Sequence, residues 1–231
     1  MLDKRLAALV ASFMILGACT QFDATSSAAP ERGDPAFLEG VNARADELYV
    51  NSEAQPGVRN FRNVYIAPAN LANMRVIQPE GATVDEGWLI TESEEKILQK
   101  AIAREFSVGL SFESAFNIVD GQQQAEIIVN TAVVAIHPNE TRDAVVAGAK
   151  PGGAITVSIA LVNAASGAVM VRSIDTKSSD DIWAFNQVDN DDPAIDLIFR
   201  SWANSIRRGM LHVQGRSSDP LVQPIVLKEQ L

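Results

Sequence analysis

The amino-acid sequence predicts an α+β domain, in which an antiparallel sheet of about five strands has two or three helices packed on one face. The order of the predicted elements is helix, strand, helix, four strands and helix, which is typical of a two-layer α+β domain. Residues 154–163 alternate between apolar and small or polar side chains and lead into a turn, as expected for a strand with one buried face. Hydrophobic residues make up 47% of the chain and charged residues 21%, which is ordinary for a globular domain.

The N-terminal part of this domain is predicted to be a helix followed by a strand and a loop. Asp34 and Pro35 form a typical helix start, with a capping residue before a proline. Apolar residues then follow at helical spacing, and they are Phe37, Leu38, Val41, Ala45 and Leu48. Residues 62–67 are predicted to be a short strand that ends at Pro68, and residues 70–87 a loop.

A second helix is predicted to begin after Thr91. Thr91 and Glu94 have the spacing of a capping box, in which each side chain binds the other residue's backbone amide. The apolar stripe of this helix consists of Ile97, Leu98, Ala101, Ile102 and Phe106. Another face carries the basic residues Lys96, Lys100 and Arg104.

Four strands are predicted after this helix. They cover residues 115–120, 125–137, 154–163 and 168–177. The second is long and rich in Ile and Val, so it is predicted to be central in the sheet. The last two are joined by a hairpin loop in which Asn163 can bind turn amides and Gly167 can adopt a positive φ.

The last predicted helix begins at Pro193, with Asp192 as its cap. Its apolar stripe consists of Ile195, Ile198, Phe199, Trp202, Ile206 and Met210. Asp196 lies near its start and Arg207–Arg208 near its end, the arrangement that the helix dipole favours. The predicted domain therefore covers residues 34–215, and residues 216–231 are predicted to be an irregular tail.

The N-terminus has the features of a secretory signal. Lys4 and Arg5 precede an apolar run from residue 6 to 16, which is too short to span a membrane. The segment Leu16-Gly17-Ala18-Cys19 resembles the lipobox of bacterial lipoproteins. The resemblance implies cleavage between Ala18 and Cys19 and acylation of Cys19, the only cysteine in the chain. The alternative is an ordinary signal peptide followed by an incidental cysteine.

This interpretation divides the N-terminal region into a lipoprotein signal peptide, residues 1–18, and a flexible tether, residues 19–33. Cleavage removes Lys4, Arg5 and Asp3 from totals of 19 basic and 29 acidic residues, so the mature chain has 17 and 28 and a formal charge of −11. Such an acidic chain repels phosphate backbones, and we therefore expect no nucleic-acid partner. The expected partners are the lipid bilayer, through the acyl chains, and another envelope protein.

The sequence contains no recognised catalytic or metal-binding motif. His137 and His212 lack ligands at suitable spacing. The acidic run 189–196 has Ala194 where a calcium loop needs glycine and Arg200 where it needs glutamate. We therefore predict no enzymatic activity, no metal and no cofactor. A separate feature is the aromatic pair Trp183 and Phe185, which are candidates for a partner surface, although packing beneath a loop is the alternative.

Taken together, the lipobox, the strand RNVYIAPAN, the capped helix TESEEKILQKAIAREF and the hairpin ITVSIALVNAASGAVMVRS resemble a family of bacterial lipoproteins with domain of unknown function 3313. The resemblance implies a periplasmic α+β domain tethered to a membrane, and it carries over no catalytic residue. Thr20 follows the cysteine where aspartate would retain an enterobacterial lipoprotein in the inner membrane, so we expect the outer membrane. The leading hypothesis is a non-enzymatic binding or scaffolding domain. The alternative is a hydrolase or small-ligand receptor with a site assembled from distant polar residues.

Overall fold

The computed structural model describes residues 45–51, 60–80, 82, 88–182 and 194–216 of the 231-residue chain. The strands within them are β1 (Glu47–Val50), β2 (Asn63–Ile66), β3 (Arg75–Val76), β4 (Asn117–Ile118), β5 (Ile127–Pro138), β6 (Gly153–Asn163) and β7 (Val169–Ser179). The α-helices are α1 (Glu92–Ser111), α2 (Arg142–Val146) and α3 (Ala194–Val213). The α+β content is therefore as predicted.

The strands form one sheet in the order β1-β7-β6-β5-β2-β4, and β3 also pairs with β5. The three pairs among β1, β7, β6 and β5 are antiparallel. However, β2 pairs with β4 and β5 in parallel, and β3 is parallel to β5. The expectation of a purely antiparallel sheet of about five strands is therefore wrong, because the described sheet is mixed and has seven strands.

The parallel pairs have a physical cause in the chain order. Helix α1 lies in sequence between β2 and both of its neighbours, β4 and β5. A helical crossover returns the chain to the same end of the sheet, so the next strand runs parallel to the first. The strand-helix-strand order was visible in the sequence and was the signal for this pairing.

One stretch of backbone, residues 63–77, follows the same edge of β5 with an interruption. After β2, the amide of Asn70 donates to the Thr131 carbonyl at 2.8 Å, and Val133 donates to the Asn70 carbonyl at 3.1 Å. A turn then closes with a hydrogen bond from Met74 to Leu71, and β3 rejoins β5. The predicted loop at 70–87 therefore contains a two-residue strand, which was too short to show as a sequence pattern.

The predicted first helix is wrong at its C-terminal end. Leu48 was assigned to its apolar stripe, but it lies in β1, opposite Ser173 of β7. Pairing with the exposed edge of a long strand provides backbone hydrogen bonds that outweigh local helical spacing. The part of that prediction at residues 34–44 lies outside the described residues.

The core lies between one face of the sheet and the two long helices. Its strand side chains include Val129, Val133, Ile155, Val157 and Ile159, and its helix side chains include Leu98, Ile102, Phe106, Leu110, Ile195, Phe199, Trp202 and Ile206. The predicted apolar stripe of α3 is buried throughout, which confirms it. Helices α1 and α3 run in the same direction, because their contacts advance together from 104 with 196 to 109 with 203.

The two most local predictions are confirmed in atomic detail. The Thr91 hydroxyl accepts from the Glu94 amide at 3.2 Å, and the Glu94 carboxylate accepts from the Thr91 amide at 2.8 Å. In the hairpin, the Asn163 side chain accepts from Ala165 and Ser166, while Gly167 has a φ of 70°. Among the described helices, none is long and apolar enough to cross a membrane.

Candidate functional site

Two of the places where polar side chains gather lie on opposite sides of the sheet. We call the first the helix ion cluster, and it comprises Arg104, Glu105, Asp196 and Arg200 between α1 and α3. We call the second the sheet-face cavity, and it opens on the face of the sheet away from those helices. Its described lining comprises Asn70, Asn73, Arg75, Ala132, Val133, Val134, Ser158, Arg172 and Ile174.

The helix ion cluster is centred on Glu105, whose side chain is only 2% exposed. One carboxylate oxygen accepts from Nε of Arg104 at 2.8 Å and the other from Nε of Arg200 at 2.6 Å. Arg104 also forms an ion pair with Asp196 in the first turn of α3. Two guanidinium groups therefore face two carboxylates.

The two carboxylates respond differently to this environment. Burial alone would raise the pKa of Glu105, but hydrogen bonds from Arg200 and Arg104 outweigh it and hold the pKa below its ordinary value. Burial raises the pKa of Asp196 above its ordinary value, and the attraction of Arg104 only partly offsets this. Asp196 also has fewer hydrogen bonds than Glu105, since its Oδ1 is buried without a hydrogen-bond partner among the described residues.

The helix ion cluster fastens two helices rather than offering groups to a ligand. Asp196 was interpreted from the sequence as a helix-dipole charge and Arg104 as one of a row of basic residues, but the structure pairs them with each other. Nearby, a Cβ atom added to Gly109 would lie only 2.6 Å from Cβ of Ala203, which is too close for two carbon atoms. The two helices therefore pack so closely that position 109 requires glycine. Charge balance and close packing together indicate a structural role.

A further buried polar contact joins helix α3 to strand β7. Nε1 of Trp202 donates to Oδ2 of Asp175 at 2.6 Å, and both residues are buried. The Lys177 ammonium lies 5.5 Å from the centre of the Trp202 ring and donates to the Ser201 hydroxyl. The indole is therefore fixed both by packing and by its polar atom.

The sheet-face cavity is formed where two irregularities of the sheet meet. Val133 pairs with Val157 and Ala135 with Thr156, so Val134 is an extra, bulged residue of β5. Beside it, the edge segment leaves β5 between Asn70 and β3. A β-bulge and an interrupted edge open space beside a sheet, and bulges are frequent next to functional sites.

The lining of this cavity combines hydrogen-bond donors with small apolar side chains. Arg75 and Arg172 supply guanidinium groups, and Asn70, Asn73 and Ser158 supply amide and hydroxyl groups. The cavity has a volume of about 390 Å³, which is within the range of small-molecule sites. Residues that pair across neighbouring strands point to the same face of a sheet. Ser158 pairs with Ala132 and Arg172 with Ala160, so Ser158 and Arg172 lie on this face.

The lipidation site and the aromatic pair that the sequence singled out cannot be compared with either cluster. Ala18, Cys19, Trp183 and Phe185 are outside the described residues, so the lipidation site and the predicted partner surface stay predictions. His137 is half-buried in β5. Among the described residues, no group of three or more His, Cys, Asp or Glu side chains is arranged to hold a metal ion.

Lys150 forms an exposed ion pair with Asp180 at 3.3 Å. The described surface also exposes single apolar side chains, among them Leu89, Val108, Phe112, Val146 and Leu197. Such scattered exposure is normal for a soluble surface.

The cavity residues were missed because their proximity depends on strand pairing. Arg75 and Arg172 are almost a hundred positions apart, and both lie in segments that looked ordinary from the sequence. The one available signal was the alternation of β7, which assigns Arg172 to the face opposite the core residue Asp175.

No family model and no curated protein matches the chain. Solved structures that resemble it include lipoprotein GNA1162 from Neisseria meningitidis, 6% identical over 61% of this chain and 94% of that one, with a TM-score of 0.34. A PelC dodecamer from Paraburkholderia phytofirmans is 13% identical over 69% of this chain and 91% of that one, with a TM-score of 0.34. A protein of domain-of-unknown-function family 330 from Xanthomonas campestris is 12% identical over 68% and 87%, with a TM-score of 0.39.

The similar structures thus include lipoproteins and proteins of unknown function. All three TM-scores are below 0.5, so these likenesses carry no functional conclusion. The resemblance to domain of unknown function 3313 stays a prediction from the sequence.

Proposed function

We propose that the chain is a lipid-anchored envelope lipoprotein whose periplasmic domain binds another component without catalysing a reaction. The sheet-face cavity is the observation that supports a binding role, since it offers convergent donors beside apolar surface. The lipobox at residues 16–19 supports the anchor. Acyl chains contribute about 0.8 kcal/mol per buried CH₂, so several chains hold a protein on a bilayer firmly.

The cavity favours one of the two forms of binding that the sequence left open. A scaffold for another envelope protein needs a broad surface, whereas a small-ligand receptor needs an enclosed site with a few placed polar groups. The space of about 390 Å³ beside Arg75 and Ser158 suits the receptor form. The hydrolase form would need a nucleophile or a general base aimed at a ligand in this space.

The anchor is tested by Cys19→Ser in the full chain, with labelled palmitate and membrane fractionation. We expect loss of the label and accumulation of precursor or soluble protein, because only the thiol accepts the diacylglycerol. Thr20→Asp is the matched variant, which keeps the label and moves the protein from the outer to the inner membrane. A Cys19→Ser protein that resists alkaline extraction from membranes would contradict the anchor.

The binding role is tested by site-specific photo-cross-linking in intact cells. A photoreactive phenylalanine analogue in place of Asn73, an exposed residue of the cavity lining, is expected to give a defined adduct. The same analogue in place of Lys100, exposed on α1, is the control and is expected to give none. Equal adducts at both positions, or none at position 73, would contradict a binding role for the cavity.

A further inference from the structure

The polar side chains that line the sheet-face cavity supply many hydrogen-bond donors. Oδ1 of Asn70 accepts from the Ala72 amide at 2.9 Å, which orients the side-chain amide, and its NH₂ group supplies two further donors. Guanidinium groups can only donate, and the Arg75 side chain reaches this lining from β3. The lining is thus richest in groups that bind oxygen atoms with negative charge.

The charge of the lining contrasts with that of the whole chain. The sequence has a formal net charge of −10, yet the titratable side chains among the described lining residues are the two arginines, Arg75 and Arg172. Glu47 lies on the same face, opposite Ile174, and its carboxylate accepts from the Tyr49 hydroxyl at 2.8 Å. The positive charge of Arg75 at the cavity attracts anions locally even when the protein as a whole repels them.

The lining also contains aliphatic side chains. Ala132, Val134 and Ile174 offer hydrocarbon surface beside the donors. An inorganic ion would leave that surface in contact with water, whereas a short carbon chain would cover it. Guanidinium forks bind carboxylates and phosphates in the same two-point geometry.

We infer that the sheet-face cavity binds a small organic anion, a carboxylate or phosphate ester that carries a short apolar group. The guanidinium of Arg75 binds the charged group, and the apolar lining covers the carbon chain. The inference rests on the proposed function and names the class of its ligand.

The test uses calorimetric titration of the mature acylated chain in detergent micelles with butyrate, butyl phosphate and butyramide. Saturable binding is expected for butyrate or butyl phosphate, and the stronger of the two identifies the charged group. Butyramide has the same carbon chain without charge, so we expect no binding. Added salt is expected to weaken anion binding, because it screens the arginines.

The decisive variant is Arg75→Gln, which is expected to weaken anion binding about tenfold or more through loss of a charge-assisted hydrogen bond. Lys100→Gln removes the same charge from α1 and is expected to leave binding unchanged. Asn73→Asp is a second variant. It adds a negative charge at an exposed position of the cavity lining, and it is therefore also expected to weaken anion binding.

Equal loss in Lys100→Gln and Arg75→Gln, binding of butyramide as strong as that of butyrate, or no saturable binding would overturn the inference. Failure of the inference is distinguishable from failure of the proposed function. A cross-link at position 73 with no anion binding leaves a binding domain whose ligand is not an anion. The absence of that cross-link removes the binding role itself.

Discussion

The helix ion cluster and the sheet-face cavity each contain two arginines, but they differ in what faces those arginines. In the helix ion cluster, Arg104 and Arg200 donate to the buried carboxylate of Glu105. In the sheet-face cavity, Arg75 and Arg172 line a space of about 390 Å³ together with amides and a hydroxyl. Arg104 and Arg200 face carboxylates of their own chain and fasten the fold, whereas Arg75 is exposed at the cavity and can reach a ligand.

The comparison also separates what each region contributes to stability. The helix ion cluster lies over the core, where α1 and α3 cover one face of the sheet. Removing a side chain there leaves a cavity or a buried group without its partner. The cavity side chains Asn73 and Arg75 are exposed, so their loss is expected to change the free energy of unfolding little.

The largest effect is expected for Trp202→Ala, at about 3–5 kcal/mol of unfolding free energy. Trp202 is 3% exposed, contacts the Phe199 ring and donates to Asp175, so the variant loses packing and a buried hydrogen bond. Chemical denaturation of the mature chain gives the value. Asp175→Asn is the partner variant and is expected to cost less, since it keeps the volume. A loss below about 1 kcal/mol for Trp202→Ala would show that this face is not buried.

A smaller effect, about 2–3 kcal/mol, is expected for Glu105→Gln. The variant keeps the shape of the side chain but removes the charge that accepts from Arg104 and Arg200. Both guanidiniums are about half exposed and can turn to water, which limits the cost. Glu95→Gln on the same helix is the control. If both variants unfold at the same denaturant concentration, the helix ion cluster does not fasten the helices.

The pH dependence of stability is expected to have opposite sign for the two carboxylates. The folded-state pKa of Glu105 is lowered, so its contribution is present above its ordinary pKa and is lost as the pH falls through the folded value. The folded-state pKa of Asp196 is raised, so its contribution is present below its ordinary pKa and is lost as the pH rises through the folded value.

Denaturation between about pH 3 and pH 6 measures both effects against neutral variants. On acidification, the stability advantage of the parent chain over Glu105→Gln is expected to shrink, and its advantage over Asp196→Asn is expected to grow. Parallel changes for the two variants would contradict the described pairing of Glu105 with both arginines.

The smallest expected effect is that of metal ions on thermal stability. The carboxylates of the helix ion cluster already face guanidiniums, so we expect melting curves in millimolar calcium and in excess EDTA to coincide. A bound metal at a hundredfold excess over its Kd would add about 2.7 kcal/mol. A reproducible shift of that size, abolished by Asp191→Asn, would reveal a metal site that the sequence argues against.

The sequence predicted the parts of this structure that depend on neighbours along the chain. Thr91 and Glu94 are three residues apart, and Asn163 binds amides two and three residues away, so short spacings specify those contacts. The apolar stripe of α3 could be predicted equally well, because the buried residues of a helix recur with the helical period.

The missed features depend on which strands and helices become neighbours. Leu48 has helical spacing to Ala45, but it pairs with the edge of β7 as a strand residue. Arg104 contacts Asp196 across 92 positions. Arg75 and Arg172 line the same cavity because β5 and β6 lie between their strands. These contacts follow from the parallel crossover through α1, which only the order of the elements indicated.

The most direct test of this account compares Arg75→Gln with Arg200→Gln, two equal losses of charge in the two regions. Unfolding and butyrate titration are measured on the same preparations. The account predicts that Arg200→Gln lowers the free energy of unfolding and retains binding, while Arg75→Gln retains stability and loses binding. If Arg200→Gln loses binding as strongly as Arg75→Gln, or if Arg75→Gln destabilises the fold as much as Arg200→Gln, the distinction between a fastening cluster and a ligand site is wrong.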